Sequence, residues 1–278
     1  MAITTFIPTL WSARLIDALE KAHVATNFAN RDYEGEIRGQ GDTVKINRLG
    51  AITVKNYTKN TDMASPDDLT TADTTLTISQ AKYFNFQVDD IDAVQAKASL
   101  VDKAMTNASY ELADVADQYL FGVIVAGVDT ANKLATTQLT ASNIYQKIVE
   151  LRTVMDKNNI PTAGRKLAIP PEAYALLLQD SRFVAGGGAQ AEATVRNGLV
   201  GNVAGFAVYE SNNIPYDNGS KEYSIIASVD SATTYAEQIV ETEAYRMEKR
   251  FADGVKGLHV YGATVLDGKR IAVLPATF

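Results

Sequence analysis

The chain has 278 residues, 46% hydrophobic and 21% charged, enough apolar material for one large core or two moderate ones. No apolar run approaches the roughly eighteen residues of a membrane span, and the absence of cysteine excludes a disulfide framework, a thiolate metal site and a cysteine nucleophile. A net charge of −7, with no basic tail or stripe, argues against gripping nucleic acid over a broad surface, though not against enclosing it.

The first residues, MAITTFIPTLWSARL, lack the basic and apolar regions of a secretory signal. Trp11, Leu15, Ile16, Leu19, His23 and Val24 predict a short amphipathic helix capped by Thr9 or Ser12. Its apolar face must dock on its own core or reach across a neighbouring subunit as an arm. Residues 30–42, rich in glycine and charge, read as irregular connection.

From 42 to 90 the pattern turns to period two. Val44 and Ile46, then Leu76, Ile78, Phe84, Phe86 and Val88, predict two strands that pair. Between them residues 53–75 are polar and rich in Thr and Asp, too poor in apolar groups to build a core. A connection of that length marks a functional loop or a disordered one. The stretch reads as an extended two-stranded flap with a mobile tip. Because an isolated hairpin is only marginally stable, it is expected to rest on another chain.

Residues 90–125, DIDAVQAKASLVDKAMTNASYELADVADQYLFGVIV, form the longest periodic run. Val94, Ala98, Val101, Met105, Ala108, Leu112, Val115 and Tyr119 alternate in steps of four and three, which predicts one stripe of a helix close to 50 Å long. Lys97, Asp102, Lys103, Glu111 and Asp114 turn away from it. Asp89, Asp90 and Asp92 at its start suit the unpaired N–H groups and dipole there better than a divalent cation.

After a turn-rich connector over 127–138, Ile144, Ile148, Leu151, Val154 and Met155 predict a second helix, capped by Thr140 or Ser142 and ending near Asn158. A short strand over 166–169 stops at Pro170, and Pro171 is well placed in the first turn of a helix over 172–179. The segment 183–197, with Gly186, Gly187 and Gly188, reads as a flexible loop. Strands follow over 205–210 and 223–229, separated by a turn at 217–220. From Glu237 two more strand-like stretches appear, QIVETEAYRMEKRF and GVKGLHVYGATVL. Asp267-Gly268 predicts a tight hairpin joining the second of these to KRIAVL.

Chemistry-bearing motifs are scarce. His23 and His259 lack the spacing of a metal pair, and no G-x-S-x-G nucleophile turn occurs; both histidines are assigned structural or surface roles. Gly186 to Gly188 is not followed by a phosphate-loop motif, and Gly198, Gly201 and Gly205 do not make a dinucleotide fingerprint. Glu241, Glu243 and Glu248 lie on predicted strands without an identifiable partner. The sequence predicts no catalytic, cofactor-binding or metal-binding residue, no cofactor and no enzymatic activity.

Three stretches, taken with the order of the elements, carry a family resemblance. The first is TLWSARLIDALEKAHVATNFANRDYEGEIRGQGDTVKINRLG (9–50). The second is RKLAIPPEAYALLLQDSRF (165–183) with GLVGNVAGFAVYESNNIP (198–215), and the third EAYRMEKRFADGVKGLHVYGATVL (243–266). Together they resemble the major capsid (coat) proteins of tailed bacteriophages, α+β proteins of the Hong Kong 97 fold, and among them the Salmonella phage P-twenty-two coat-like branch. The resemblance implies an N-terminal arm over 1–40 and an E-loop over 41–90. It implies a peripheral (P) domain over 91–126 and 230–266, with the long helix as its spine, and an axial (A) domain over 127–229 and 267–278. It further implies self-assembly as hexamers and pentamers into an icosahedral head that encloses double-stranded DNA without sequence-specific binding. A portal at one vertex, a separate scaffolding protein, assembly in the host bacterial cytoplasm and residence in the virion complete the expectation, with no membrane involved. Lys55 and Lys59 lie on the expected E-loop, but no motif there matches the relatives that cross-link it. Two alternatives are an encapsulin-type compartment shell and a soluble α/β enzyme with an unrecognised site.

Overall fold

The computed structural model describes residues 23–33, 41–49, 54–57, 59, 60, 62, 65, 71–89, 99–180, 199–247 and 252–278. The expected helix around Trp11, the first turns of the long helix and the glycine-rich segment 183–197 lie outside the described residues.

Helix α1 (Ser99–Ala126) spans 28 residues, about 42 Å. Its buried positions run in two rows of four-residue steps: Met105, Ser109, Ala113, Asp117 and Phe121, then Leu112, Ala116, Leu120 and Ile124. The alternating stripe predicted from sequence departs from this face, and Val115 is 39% exposed. A four-three alternation repeats every 3.5 residues, so on a straight helix it drifts by about 20° per heptad. Replacing Val115 with Ser is therefore expected to shift urea stability by no more than about 0.5 kcal/mol. Leu112→Ala, on the buried face, is expected to cost about 2 kcal/mol or more in the same measurement.

The described strands form three sheets. β1 (Thr43–Leu49) and β2 (Thr71–Thr77) pair antiparallel as a ribbon. β3 (Gln80–Asp89) leaves that ribbon and pairs with β11 (Ala252–Val265), which pairs with β10 (Thr233–Arg246). The single strand expected after the polar connection is thus two strands, broken at Ile78 and Ser79. Ile78 is buried beneath the ribbon with Ile46, Leu76, Ala236 and Val260, so the chain turns where this small cluster pins it.

The third sheet has seven strands. β4 (Thr137–Gln138), β12 (Ile271–Thr277), β9 (Glu222–Val229), β5 (Arg165–Ile169), β7 (Phe206–Glu210) and β6 (Leu199–Val203) follow in that spatial order, and β8 (Tyr216–Asp217) pairs with β9. The hairpin expected at Asp267-Gly268 is not formed. β12 pairs antiparallel with β9, so the turn carries the chain from one sheet to another. Asp267 caps that turn by accepting from the Lys269 N–H at 3.2 Å, and Gly268 lies against the Gly127 carbonyl, where only a residue without Cβ fits. Strand β6 was not predicted; its five residues, interrupted by Gly201, are too few to show a period.

Helix α2 (Ile144–Lys157) buries Ile144, Ile148, Leu151 and Met155 on one face. Its N-cap is Asn143, not Thr140 or Ser142; the Asn143 side chain accepts from the Thr140 N–H at 2.8 Å, while the Thr140 and Ser142 hydroxyls face one another. Helix α3 (Pro171–Gln179) begins with Pro171 in its first turn, as the sequence predicts. α2, α3, the sheet and the C-terminal half of α1 enclose one main core. The N-terminal half of α1 lies on the three-stranded sheet instead, with Met105 against Val255 and Leu112 and Ala113 against Phe84.

Candidate functional site

Two features stand out: a ribbon that reaches beyond the core, and a buried cluster of charges where three elements meet. The ribbon alternates as a half-covered strand pair should. Ile46 and Leu76 are buried, while Thr43, Lys45, Asn47, Asp73, Thr75 and Thr77 are exposed. Beyond it Val54 is 92% and Tyr57 75% exposed. The outer face of the three-stranded sheet is also open. Tyr83, Leu258, Lys256 and Glu243 share that face, Tyr83 being 76% exposed. Glu243 forms a 2.7 Å ion pair with Lys256 across the strands, which supplies the partner the sequence did not identify. Glu241 faces Leu258 in register, and Glu248 lies outside the described residues.

The charge cluster joins residues 23–33, α1 and the β10–β11 pair. Asp117 on α1 accepts three bonds from the start of the N-terminal segment: His23 Nδ1 at 2.8 Å, the Val24 N–H at 2.9 Å and the Ala25 N–H at 3.3 Å. Glu237 on β10 binds the Arg31 guanidinium, accepts from the Tyr235 hydroxyl at 2.8 Å and from His259 Nε2 at 3.1 Å, and lies 3.6 Å from His23 Nε2. The ionised carboxylate can only accept, so His259 carries its proton on Nε2. Burial by itself would push the Glu237 carboxyl upward. The His259 hydrogen bond and the charges of His23, Arg31 and His259 outweigh burial and hold the group at about 2. Burial, reinforced by Glu237, pushes the Tyr235 phenol well above its ordinary value, so it stays a donor. Burial beside Tyr119 pushes Tyr261 up to about 12.

Both histidines therefore have structural roles, but paired ones that the sequence did not disclose. The signal was Asp117, a carboxylate four residues from Ala113 and from Phe121 on a helix row otherwise made of uncharged residues. Among the described residues no group of three His, Cys, Asp or Glu side chains is placed to hold a metal ion. Asp90, Asp92 and Gly186 to Gly188 lie outside them. Gly205, at φ +87°, closes the β6–β7 turn, and Gly201 sits at the register shift of that pair, so both serve the backbone. No helix of the described residues is long and apolar enough to cross a membrane.

Comparison with known proteins places this architecture. A family model described as phage capsid protein matches residues 71–274. A chain of Mycobacterium phage Che8 superposes with a TM-score of 0.72 at 29% identity, covering 91% of this chain and 90% of that one. The capsid structure of the cyanophage P-SCSP1u gives 0.68 at 19% identity, covering 92% and 87%. The SrpI encapsulin complex from Synechococcus elongatus PCC 7942 gives 0.56 at 10% identity, covering 86% and 83%, a likeness of fold alone. No curated protein matches the sequence. The fold is the Hong Kong 97 type, as the sequence resemblance implied. These likenesses hold at the level of family and fold, and the P-twenty-two coat-like branch stays an expectation from the sequence.

Proposed function

The chain belongs to the phage capsid protein family, whose members are structural and not enzymatic, and from that premise we propose that it builds the icosahedral head of a tailed phage as hexamers and pentamers enclosing double-stranded DNA. In this reading residues 1–40 are the N-arm, 41–90 the E-loop, 91–126 with 230–266 the P domain, and 127–229 with 267–278 the A domain. A separate scaffolding protein guides assembly in the host cytoplasm, and a portal occupies one vertex. The observation that carries the reading is the β1–β2 ribbon. Two strands with one small cluster at their base are marginally stable alone, so the exposed Val54 and Tyr57 beyond them call for cover from another subunit. The acidic balance fits a shell that leaves packaged DNA mobile.

The test is to express the chain alone and with its neighbouring gene products, then size and image the particles by negative stain. Closed shells, or rings of five and six, are expected; a persistent monomer or dimer would sink the proposal. Val54→Asp with Tyr57→Asp is expected to leave the subunit folded by circular dichroism and to lower shell yield at least about tenfold. The encapsulin likeness supports a second reading, a cargo shell. Nuclease-protected DNA in particles from infected cells decides for the phage head.

A further inference from the structure

The turn that joins β8 to β9 stands clear of the main core and of the charge cluster. Residues 218–221 form it above the rung that pairs Asp217 with Glu222, and Lys221 lies in the left-handed region at φ +57°. Asn218 and Gly219 are both exposed. In an asparagine followed by glycine the next backbone nitrogen can attack the side-chain amide with little obstruction, because glycine has no Cβ. Here that nitrogen is already engaged. The Gly219 N–H donates to Asp217 Oδ1 at 2.9 Å, and the Ser220 hydroxyl donates to Asp217 Oδ2 at 2.9 Å. Both oxygens of one carboxylate therefore hold the turn. The Gly219 N–H, and after it the Ser220 hydroxyl, keep the Asp217 carboxyl below its ordinary value, so it is ionised and accepting at neutral pH.

We propose that Asn218 is a site of spontaneous deamidation, and that the Asp217 carboxylate restrains the reaction by holding the Gly219 nitrogen. In the reaction the Gly219 N–H gives its proton to hydroxide, and the nitrogen forms a bond to Asn218 Cγ. The Cγ–Nδ2 bond breaks, and the amino group takes a proton from water and leaves as ammonia. One water molecule then opens the five-membered succinimide. Cleavage between Cγ and nitrogen gives aspartate at 218, and cleavage at the main-chain carbonyl gives isoaspartate. Two features of the turn oppose the first step. The Asp217 carboxylate is negative, so removing the Gly219 proton would leave two anions in contact. The hydrogen bond also fixes the nitrogen's direction, whereas attack needs it turned onto Cγ in a near-attack geometry. Either product adds one negative charge beside Asp217 and Glu222. Isoaspartate also adds a methylene to the main chain next to the Asp217 to Glu222 rung, so the restraint preserves the pairing of β8 with β9.

Incubating the full chain at pH 7 and following its tryptic peptides by mass spectrometry tests this, with isoaspartate counted by enzymatic methylation. Asp217→Ala is expected to deamidate Asn218 at least about fivefold faster than wild type, the rate equivalent of one exposed hydrogen bond. Ser220→Ala removes one of the two donors that fix Asp217 and leaves the Gly219 bond, so its rate is expected to fall between them. The other Asn-Gly pair, Asn197-Gly198, lies outside the described residues and is the reference within the same chain. Its rate is expected to be the same in all three proteins. Equal Asn218 rates in wild type and folded Asp217→Ala would overturn the proposal. So would a parallel rise at Asn197, which no release of the β8–β9 turn explains, or an Asn218 in Asp217→Ala that stays intact while Asn197 reacts. If circular dichroism shows that Asp217→Ala does not fold, Ser220→Ala against wild type decides on the same readout.

Discussion

Acidifying the wild-type protein from about pH 4.5 to about pH 2 is expected to remove about 3 kcal/mol of folding free energy through Glu237. The folded carboxyl sits near 2, below its ordinary 4.5, so the native state binds its proton more weakly than the unfolded chain does. The resulting stabilisation is complete above the unfolded value and is lost as pH falls through the folded one. Its source is specific: Arg31, His259 and His23 surround a carboxylate that is nearly removed from solvent. Glu237→Gln keeps the size of the side chain but not its charge, leaving Arg31 without its Glu237 counter-ion. At pH 7 the variant is expected to lose about 3 kcal/mol, the lower end of the cost of breaking a buried ion pair, because the Arg31 side chain is 34% exposed. Urea unfolding across this pH range, on both proteins, measures the two effects together. A variant that kept the wild-type acid slope would refute the assignment of the slope to Glu237.

Gly262→Ala is expected to be the most damaging single methyl in the long strands. A Cβ on Gly262 would lie 2.3 Å from the Thr77 carbonyl oxygen and 2.9 Å from Ile78 Cα. Both are backbone atoms, one at the end of β2 and one in the link to β3, so no side-chain rotation relieves the clash. The ribbon must tilt away from β11, opening the cluster of Ile46, Leu76, Ile78, Ala236 and Val260 beneath it. We expect a loss of about 3 kcal/mol, at the upper end of overpacking costs, and a misdirected ribbon that lowers shell yield. Gly257→Ala is the control on the same strand. Its Cβ would meet the Phe84 ring at 2.4 Å, but that ring is half-buried and can turn aside. A loss of about 1 kcal/mol is expected there, and equal losses at the two positions would refute the argument from backbone crowding.

Periodicity is a local property, and it carried the sequence analysis as far as local properties reach. The long helix, the Ile144 helix with four of its five predicted apolar positions buried, the proline-started helix and most strands follow from spacing and from Pro and Gly punctuation. Composition excluded cysteine chemistry, and the ordered set of elements carried the resemblance to phage capsid proteins. Which strand pairs with which was not legible. KRIAVL is adjacent in sequence to β11 yet pairs with β9, because the turn at Asp267 redirects it into the other sheet. The break at Ile78 depends likewise on packing against β10 and β11, which a local pattern does not contain. The charge cluster is the extreme case. His23 and Asp117 are 94 residues apart, and Arg31 and Glu237 are 206 apart. Each residue alone reads as an ordinary surface or strand position, and only the folded chain brings them within hydrogen-bond reach and out of water. Residue spacing determined the elements, whereas the pairings and the buried charges arise from contacts between distant segments.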